Sequence, residues 1–522
     1  MRHSGSTCGK GKLKLSEQVY FTFGIHNHQP VGNFEHVFEE ATERAYRPFL
    51  EVLAEFPDIQ MSFHFTGILL EWLAKKHPDL IEKLKHMVRR GQIEMLSGAY
   101  YEPIMPMIPD RDKVGQIQKL NDYVRKLLGH TPRGMWLAER VWEPHLAKAI
   151  HEAGIDYTIV DDSHFKTVGF TDDELLGYYV TEEQGIPLSI FPISEAMRYL
   201  VPFKLVEESI KYFRSLKSES DRLVVMADDG EKFGIWPGTH DWVYKKGWLK
   251  DFFQALLDNK DWLKVVTFSE YLDQHRSLGP VYLPAASYSE MMQWALPAWR
   301  SRQLEHLMHQ EGSEEYKPFL RGGFWRVFLS KYRESNNMHK KMLRVGDKIN
   351  QLPSSDQDQA LDHLWTAQCN CGYWHGVFGG LYLNHLRTAI YKNLLKAEKE
   401  VDRKVHGKKK WIDAEKLDFF RDGGECLLVS GSAMNLYFDL GQGGSLFEWD
   451  LKKKEFNLLN TMTRQEEAYH QRLVEAETTP HESEKNKEEG SRSIHDIVNV
   501  KEPGLSQKLC FDWYRRSAMI DH

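Results

Sequence analysis

The sequence predicts an α/β protein: a parallel β/α barrel, then a helical region, then an all-β region. Three observations predict it. Over the first ~290 residues, short apolar runs alternate with amphipathic helical segments seven or eight times, which favours a barrel over an open sheet. From about 290 to 405 the strand-like runs disappear. After "HGKKKW" short β runs return, separated by Gly-rich turns as in a sandwich. At 522 residues the chain has room for roughly two to four domains, and the texture divides it into 1–18, 19–290, 291–405 and 415–522.

Residues 1–18, "MRHSGSTCGKGKLKLSEQ", are basic and polar without an apolar core, so they read as an extension and not a signal peptide. "VYFTFGIH" (19–26) is the first strand, and "IQMSFHFTG" (59–67) follows the helix "AYRPFLEVLAEF". "QIEMLSGAY" (92–100) follows "LIEKLKHMVRRG", a helix closed by Gly91. "GMWLAE" (134–139), "IDYTIVDD" (155–162), "IPLSIFPI" (186–193), "RLVVMADD" (222–229) and "KVVTFSE" (264–270) complete the set of expected strands. "MMQWALPAWRSRQLEHLM", "NMHKKMLRVGDKINQL", "DQALDHLWTAQ" and "LNHLRTAIYKNLLKAEKEVDRKV" read as helices. "GECLLVSGSAMNLYFDL", "GGSLFEWDLKKKEFNLLN" and "QKLCFDWYRR" read as β, and the charged stretch 477–492 as a disordered loop.

Composition excludes several classes. A net charge of −7 disfavours nucleic acid, and no apolar stretch of about 18 residues is present to span a membrane. Five scattered cysteines point to a reducing, cytoplasmic compartment. Cys369-x-Cys371 lacks a second pair at zinc-finger spacing and reads as ordinary packing, a metal site being the minority alternative. The 15 Trp serve a large core or act as flat platforms for sugar rings. The oligomeric state is left open, a homodimer included.

Active sites of parallel barrels lie at the C-terminal ends of the strands, and polar residues collect there. His26 and His28 are two apart in an extended run, so they share a face. Glu94 sits in an otherwise apolar strand. Glu139 ends "MWLAE"; Asp161, Asp162 and His164 follow "YTIV"; Asp228 and Asp229 follow "LVVMA". Any one of these acids fits a structural ion pair, but five strands with the same habit fit a site better. Two carboxylates suffice to cleave a glycosidic bond, one attacking the anomeric carbon or activating water, the other protonating the leaving oxygen. Glu139, beside Arg140 and between Trp136 and Trp142, is the candidate nucleophile. Asp228 or Asp229 is the candidate acid, because neighbouring aspartates raise one another's pKa. "DDGEKFG" lacks the alternating acids of a calcium loop. "QCNCGYWHGVFGG" (368–380) carries too many glycines for a helix and reads as a loop closing over the barrel mouth.

"HNHQPVGN" (26–33), "GQIEMLSGAYYEPI" (91–104), "WLAERVWEP" (136–144), "ADDGEKFGIWPGT" (227–239) and "AQCNCGYWHGVFGG" (367–380) together resemble glycoside hydrolase family 57, more closely its 4-α-glucanotransferase branch. That resemblance implies a seven-stranded (β/α) barrel, a helical domain completing the site and a C-terminal β-sandwich. The sandwich looks cut short here, because the final residues resemble mid-domain sequence. It also implies a retaining mechanism on α-1,4-glucans without metal or organic cofactor, with Glu139 as nucleophile, Asp229 as acid/base and Asp228 as second choice. His26, His28, Glu94, Trp236, Tyr373, Trp374 and His375 occupy motif positions associated with substrate, and the tyrosine is thought to influence transfer against hydrolysis. Family members often carry an acid where Cys371 stands. Double displacement requires Glu139 and Asp229 to approach to about 5–5.5 Å.

Three rivals remain open on the sequence. Water as acceptor makes the enzyme an α-amylase. A zinc-dependent deacetylase or mannosidase would use His26, His28, Asp162 and His164. A non-catalytic glucan-binding protein would use the aromatics alone.

Overall fold

The computed structural model describes residues 18–478 and 502–520. Residues 1–17 with Cys8, and 479–492 of the expected loop, lie outside the described residues.

Seven parallel strands form the barrel wall. β1 (Val19–Asn27), β2 (Met61–Phe65), β3 (Ile93–Leu96) and β8 (Arg222–Asp229) pair in the order β3-β2-β1-β8. β4 (Gly134–Trp136), β5 (Tyr157–Asp161) and β7 (Ile186–Ile193) form the other arc. The arcs meet at a Ser97–Met135 bridge on one side. On the other, the Ser194 N–H donates to Val225 O at 2.9 Å. These strands are buried on both faces, which is why they read as near-continuous apolar runs.

Two elements differ from the sequence expectation. β6 (Tyr179–Glu183) pairs antiparallel with β7 through a turn in which Gln184 and Gly185 have φ 54° and 80°. Two successive positive φ values suit a tight hairpin, and Gly supplies one of them freely. The run 264–270 yields only the short strand β9 (Leu263–Val265). Thr267 Oγ1 accepts from the Glu270 N–H at 3.2 Å and starts a helix over Phe268–Gln274.

Beyond the barrel, six helices run from Ser289–Trp294 to Asn384–His406, the longest two being Arg333–Asn350 and Asn384–His406. A loop over 367–383 interrupts them. β10 (Ile412–Leu417), β11 (Cys426–Gly431), β12 (Met434–Asp439), β13 (Ser445–Leu451) and β14 (Phe456–Asn457) form one antiparallel meander. Among the described residues this is a single sheet, and its facing layer is the two long helices. The run 507–516 forms no strand, and nearby Ala518 makes an isolated bridge to Leu446. Asp512 instead binds the Arg464 backbone N–H and side chain, so side-chain bonds compete with a ladder.

A buried polar network joins sheet to helices. Lys341 contacts Glu448 and Asp450, while Asn337 Nδ2 donates to Glu448 at 2.7 Å and Asn435 Nδ2 to Glu398 at 2.7 Å.

Candidate active site

The strand ends converge on a cavity of about 320 Å³ at the barrel mouth, lined by Glu139, Asp228, Asp229, Glu231, His26 and His28 among others. Backbone register explains the first step: β1 and β8 pair with His26 opposite Asp229 and Ile25 opposite Asp228. Glu139 arrives differently. The chain leaves β4 and turns with Glu139 at φ 52° and Arg140 at φ 49°, a left-handed pair that costs energy for residues with a Cβ. The segment after the barrel holds it there. Trp142 and Ala286 exchange backbone bonds at 2.9 and 3.0 Å, and Ser287 Oγ donates to Glu139 O at 2.7 Å.

The two acids differ in surroundings. The Tyr288 hydroxyl donates to Glu139 Oε2 at 2.9 Å. Burial pushes the Glu139 carboxyl up to about 7; Arg140 and the tyrosine bond oppose this, while Asp229 and Glu102 add to it. Asp229 is likewise raised, first by burial and then by the charge of Asp228. Asp228 goes the other way. Burial alone would raise it, but Lys232 at 2.7 Å and Arg198 at 3.2 Å overcome this and hold it well below the usual carboxylate range. The neighbouring aspartates are thus set apart: cations hold Asp228 toward its anionic form, while Asp229 is raised. Arg140 is anchored by Asp161 at 2.7 Å and lies 4.5 Å from the Tyr288 ring centroid.

His26 Nε2 reaches Glu102 Oε1 at 3.0 Å, and His28 Nδ1 contacts the other oxygen of the same carboxylate. Burial works against charging His28, but Glu102 lifts its pKa to about 10. Trp236, Trp294 and Trp374 line the cavity, the last two stacked at 18° with centroids 6.2 Å apart.

Other expected site residues lie behind the wall. Glu94 is not among the lining residues: it is buried in the barrel, accepting from Tyr157 OH at 2.6 Å, Ser62 Oγ at 2.9 Å and Ser269. An apolar strand tolerates this acid because three hydroxyls satisfy it. Tyr373 is buried with its hydroxyl on Ala367 O at 2.8 Å, and His375 is held between Gly379 O and Tyr469 OH, both at 3.0 Å. Both support the loop, whereas Trp374 faces the cavity. Trp136 stacks on His26 at 4.6 Å and Trp142 packs in the core, so neither presents a face to substrate. The zinc set proposed from sequence does not assemble: His164 is held by Arg140 O and Asp161 O, and Asp162 pairs with Lys166 at 2.9 Å.

Glu102, Glu231 and Tyr288 were not singled out by sequence reasoning. Glu102 has a positive φ of 52° on a loop, Glu231 lies within the quoted "GEKFG", and Tyr288 lies just past the last barrel element. No periodicity marks such positions.

Residues 22–284 match the sequence profile of glycosyl hydrolase family 57; residues 323–401 and 418–522 match the middle and C-terminal domains of alpha-amylase/4-alpha-glucanotransferase. Alpha-amylase 1 of Dictyoglomus thermophilum is 46% identical over 97% of this chain and 73% of its own length. The 4-alpha-glucanotransferase of Thermococcus litoralis is 43% identical over 97% of this chain and 74% of its own. The crystal structure of a 4-alpha-glucanotransferase from that organism superposes with a TM-score of 0.85 at 41% identity, covering 96% of this chain and 73% of the other. With a profile matched across the barrel and relatives aligned along nearly the whole sequence, the chain belongs to glycosyl hydrolase family 57.

Proposed function

We propose that this chain is a retaining enzyme on α-1,4-glucans that cuts a maltooligosaccharide and passes the glycosyl part to another glucan. The observation that carries the reading is the pairing in one cavity of Glu139 with Asp229, whose neighbour Asp228 is locked as an anion. Asp229 protonates the glycosidic oxygen while Glu139 attacks the anomeric carbon. Asp229, then a base, takes the proton of the acceptor hydroxyl as the glycosyl–Glu139 bond breaks. Arg140 favours the ionised nucleophile. Trp236, Trp294 and Trp374 offer apolar faces to the sugar. The names of the two similar proteins support this substrate class.

Hydrolysis is the second reading, favoured by the relative named alpha-amylase at 46% identity. Incubation with maltotriose separates the two. A ladder of longer glucans means transfer, glucose and maltose alone mean hydrolysis, and unchanged maltotriose would overturn both. The free cysteines among the described residues favour a reducing cytoplasm, and no described helix is long and apolar enough to cross a membrane.

A further inference from the structure

We infer that His28, Cys369 and Cys371 form a binding site for a thiophilic divalent cation, by chemistry Zn²⁺, and that its occupation shuts the catalytic cavity. The ligand atoms of these three residues all lie within 4.8 Å of one another, and His28 Nε2 is 3.2 Å from Cys371 Sγ. A tetrahedral zinc with Zn–S of ~2.3 Å and Zn–N of ~2.0 Å needs its ligand atoms roughly 3.5 Å apart, so the group requires only small rotations to accept the ion. Two sulfurs and an imidazole match zinc and its soft neighbours, and do not match calcium or magnesium, which take oxygen.

The site is supported from behind. Glu102 holds His28 at Nδ1, which leaves Nε2 to face the sulfurs, the arrangement in which a carboxylate orients a metal-binding histidine. Glu102 is itself fixed by His26 at 3.0 Å. The residue between the two cysteines is tied to the same glutamate: the Asn370 N–H and Nδ2 both donate to Glu102 O, at 3.1 and 2.7 Å. One anchor thus sets the histidine and the cysteine loop relative to each other. The site is also open on one side. Cys369 is buried, but Cys371 and His28 line the cavity that holds Glu139, so an ion would keep its fourth position toward substrate space. A second cluster, Glu39, Glu43 and His77, lies away from this cavity and offers no sulfur.

On binding, the ion displaces the proton at His28 Nε2 and those of both thiols, which pass to solvent, while the Nδ1 proton stays with Glu102. The bound cation sits in the wall of the cavity that also holds Glu139 and so narrows the space a sugar must enter. The inhibitory half rests on the glucan reading above; the binding half does not.

Anaerobic titration of the reduced full chain with Co²⁺ tests binding. We expect saturation at about one equivalent with a thiolate-to-cobalt charge-transfer band. Cys371→Ser and Cys369→Ser should each abolish or strongly weaken that band, and Cys426→Ser should keep it, with far-UV circular dichroism verifying that each variant folds. No band in the reduced protein, or one that survives both Cys369→Ser and Cys371→Ser, overturns the site. In the second arm, near-stoichiometric Zn²⁺ should cut product formation from maltotriose about tenfold, EDTA should restore it, and Cys371→Ser should need about 10–100-fold more Zn²⁺. Full activity of a zinc-loaded enzyme overturns the inhibition. A chain inert toward maltotriose without metal counts against the glucan reading, while the cobalt spectrum still decides the site.

Discussion

Glu139 sits on a left-handed backbone, under a tyrosine hydroxyl and beside a buried arginine, all of which serve one carboxylate. On the proposed reading Glu139→Gln removes the attacking oxygen while keeping the shape, so both transfer and hydrolysis should vanish with the melting temperature unchanged. Full activity in that variant refutes the assignment. Asp229→Asn should lower turnover of maltooligosaccharides about 10²–10⁴-fold. It should spare glycosylation by an activated aryl glycoside, whose leaving group needs no proton; equal losses on both substrates would assign the acid elsewhere. The pH profile gives a finer check. Protonated Glu139 cannot attack, and its carboxyl titrates at about 7, so kcat/KM should contain a midpoint there. Tyr288 stabilises the ionised form, so Tyr288→Phe should move that midpoint to higher pH; a shift downward contradicts the geometry. That Glu139, Asp229, His26 and His28 reach the cavity was legible in the sequence because each is a polar residue at the end of an apolar run. Glu94 fulfils the same pattern and is structural, because pattern places a residue on a strand without saying which hydroxyls reach it. What distinguishes Asp228 from Asp229 is its pairing with Lys232 and Arg198, contacts that spacing does not disclose.

At the scale of elements, the buried strands were legible because parallel strands covered on both faces must be continuously apolar. The hairpin strand β6 was not, since "YVTEE" is half polar and, apart from an isolated bridge at Val180–Pro280, pairs only with β7. Run 264–270 misleads because its strand ends at Val265 and a cap made by Thr267 turns the rest into a helix. The loop over 367–383 was legible from its glycines, and one of them is spatially forced. A Cβ on Gly376 would lie 2.7 Å from Trp294 and from Trp374, the two stacked rings of the cavity wall. Gly376→Ala must therefore push a ring out of place. We expect KM for maltooligosaccharides to rise several-fold, about 1 kcal/mol of lost binding, with kcat changed less. An unchanged KM would mean that these rings do not touch the sugar.

The whole molecule couples its distal sheet to the site through the long helix Arg333–Asn350. That helix carries Lys341, buried against Glu448 and Asp450 of β13, and also Ser335, whose hydroxyl donates to Tyr373 O at 2.5 Å beneath the loop. Lys341→Met keeps the stem and deletes the charge, leaving two buried carboxylates face to face. Breaking a buried pair in this way costs about 3–5 kcal/mol, read as a lower urea midpoint. The penalty should depend on pH with a definite sign. Burial, then the charge of Asp450, already pushes Glu448 up to about 7 in the intact protein, and losing the lysine pushes it further. On the alkaline side of 7 the folded variant therefore takes up a proton that neither the folded wild type nor the unfolded chain, with an ordinary glutamate at about 4.3, yet binds, so the variant gains relative stability as pH falls from 9 toward 7, below which both folded proteins carry it. The gap between wild type and variant should therefore narrow across that window. A gap that stays constant or widens would mean that lost packing of the lysine stem, and not the uncompensated charge, accounts for the destabilisation.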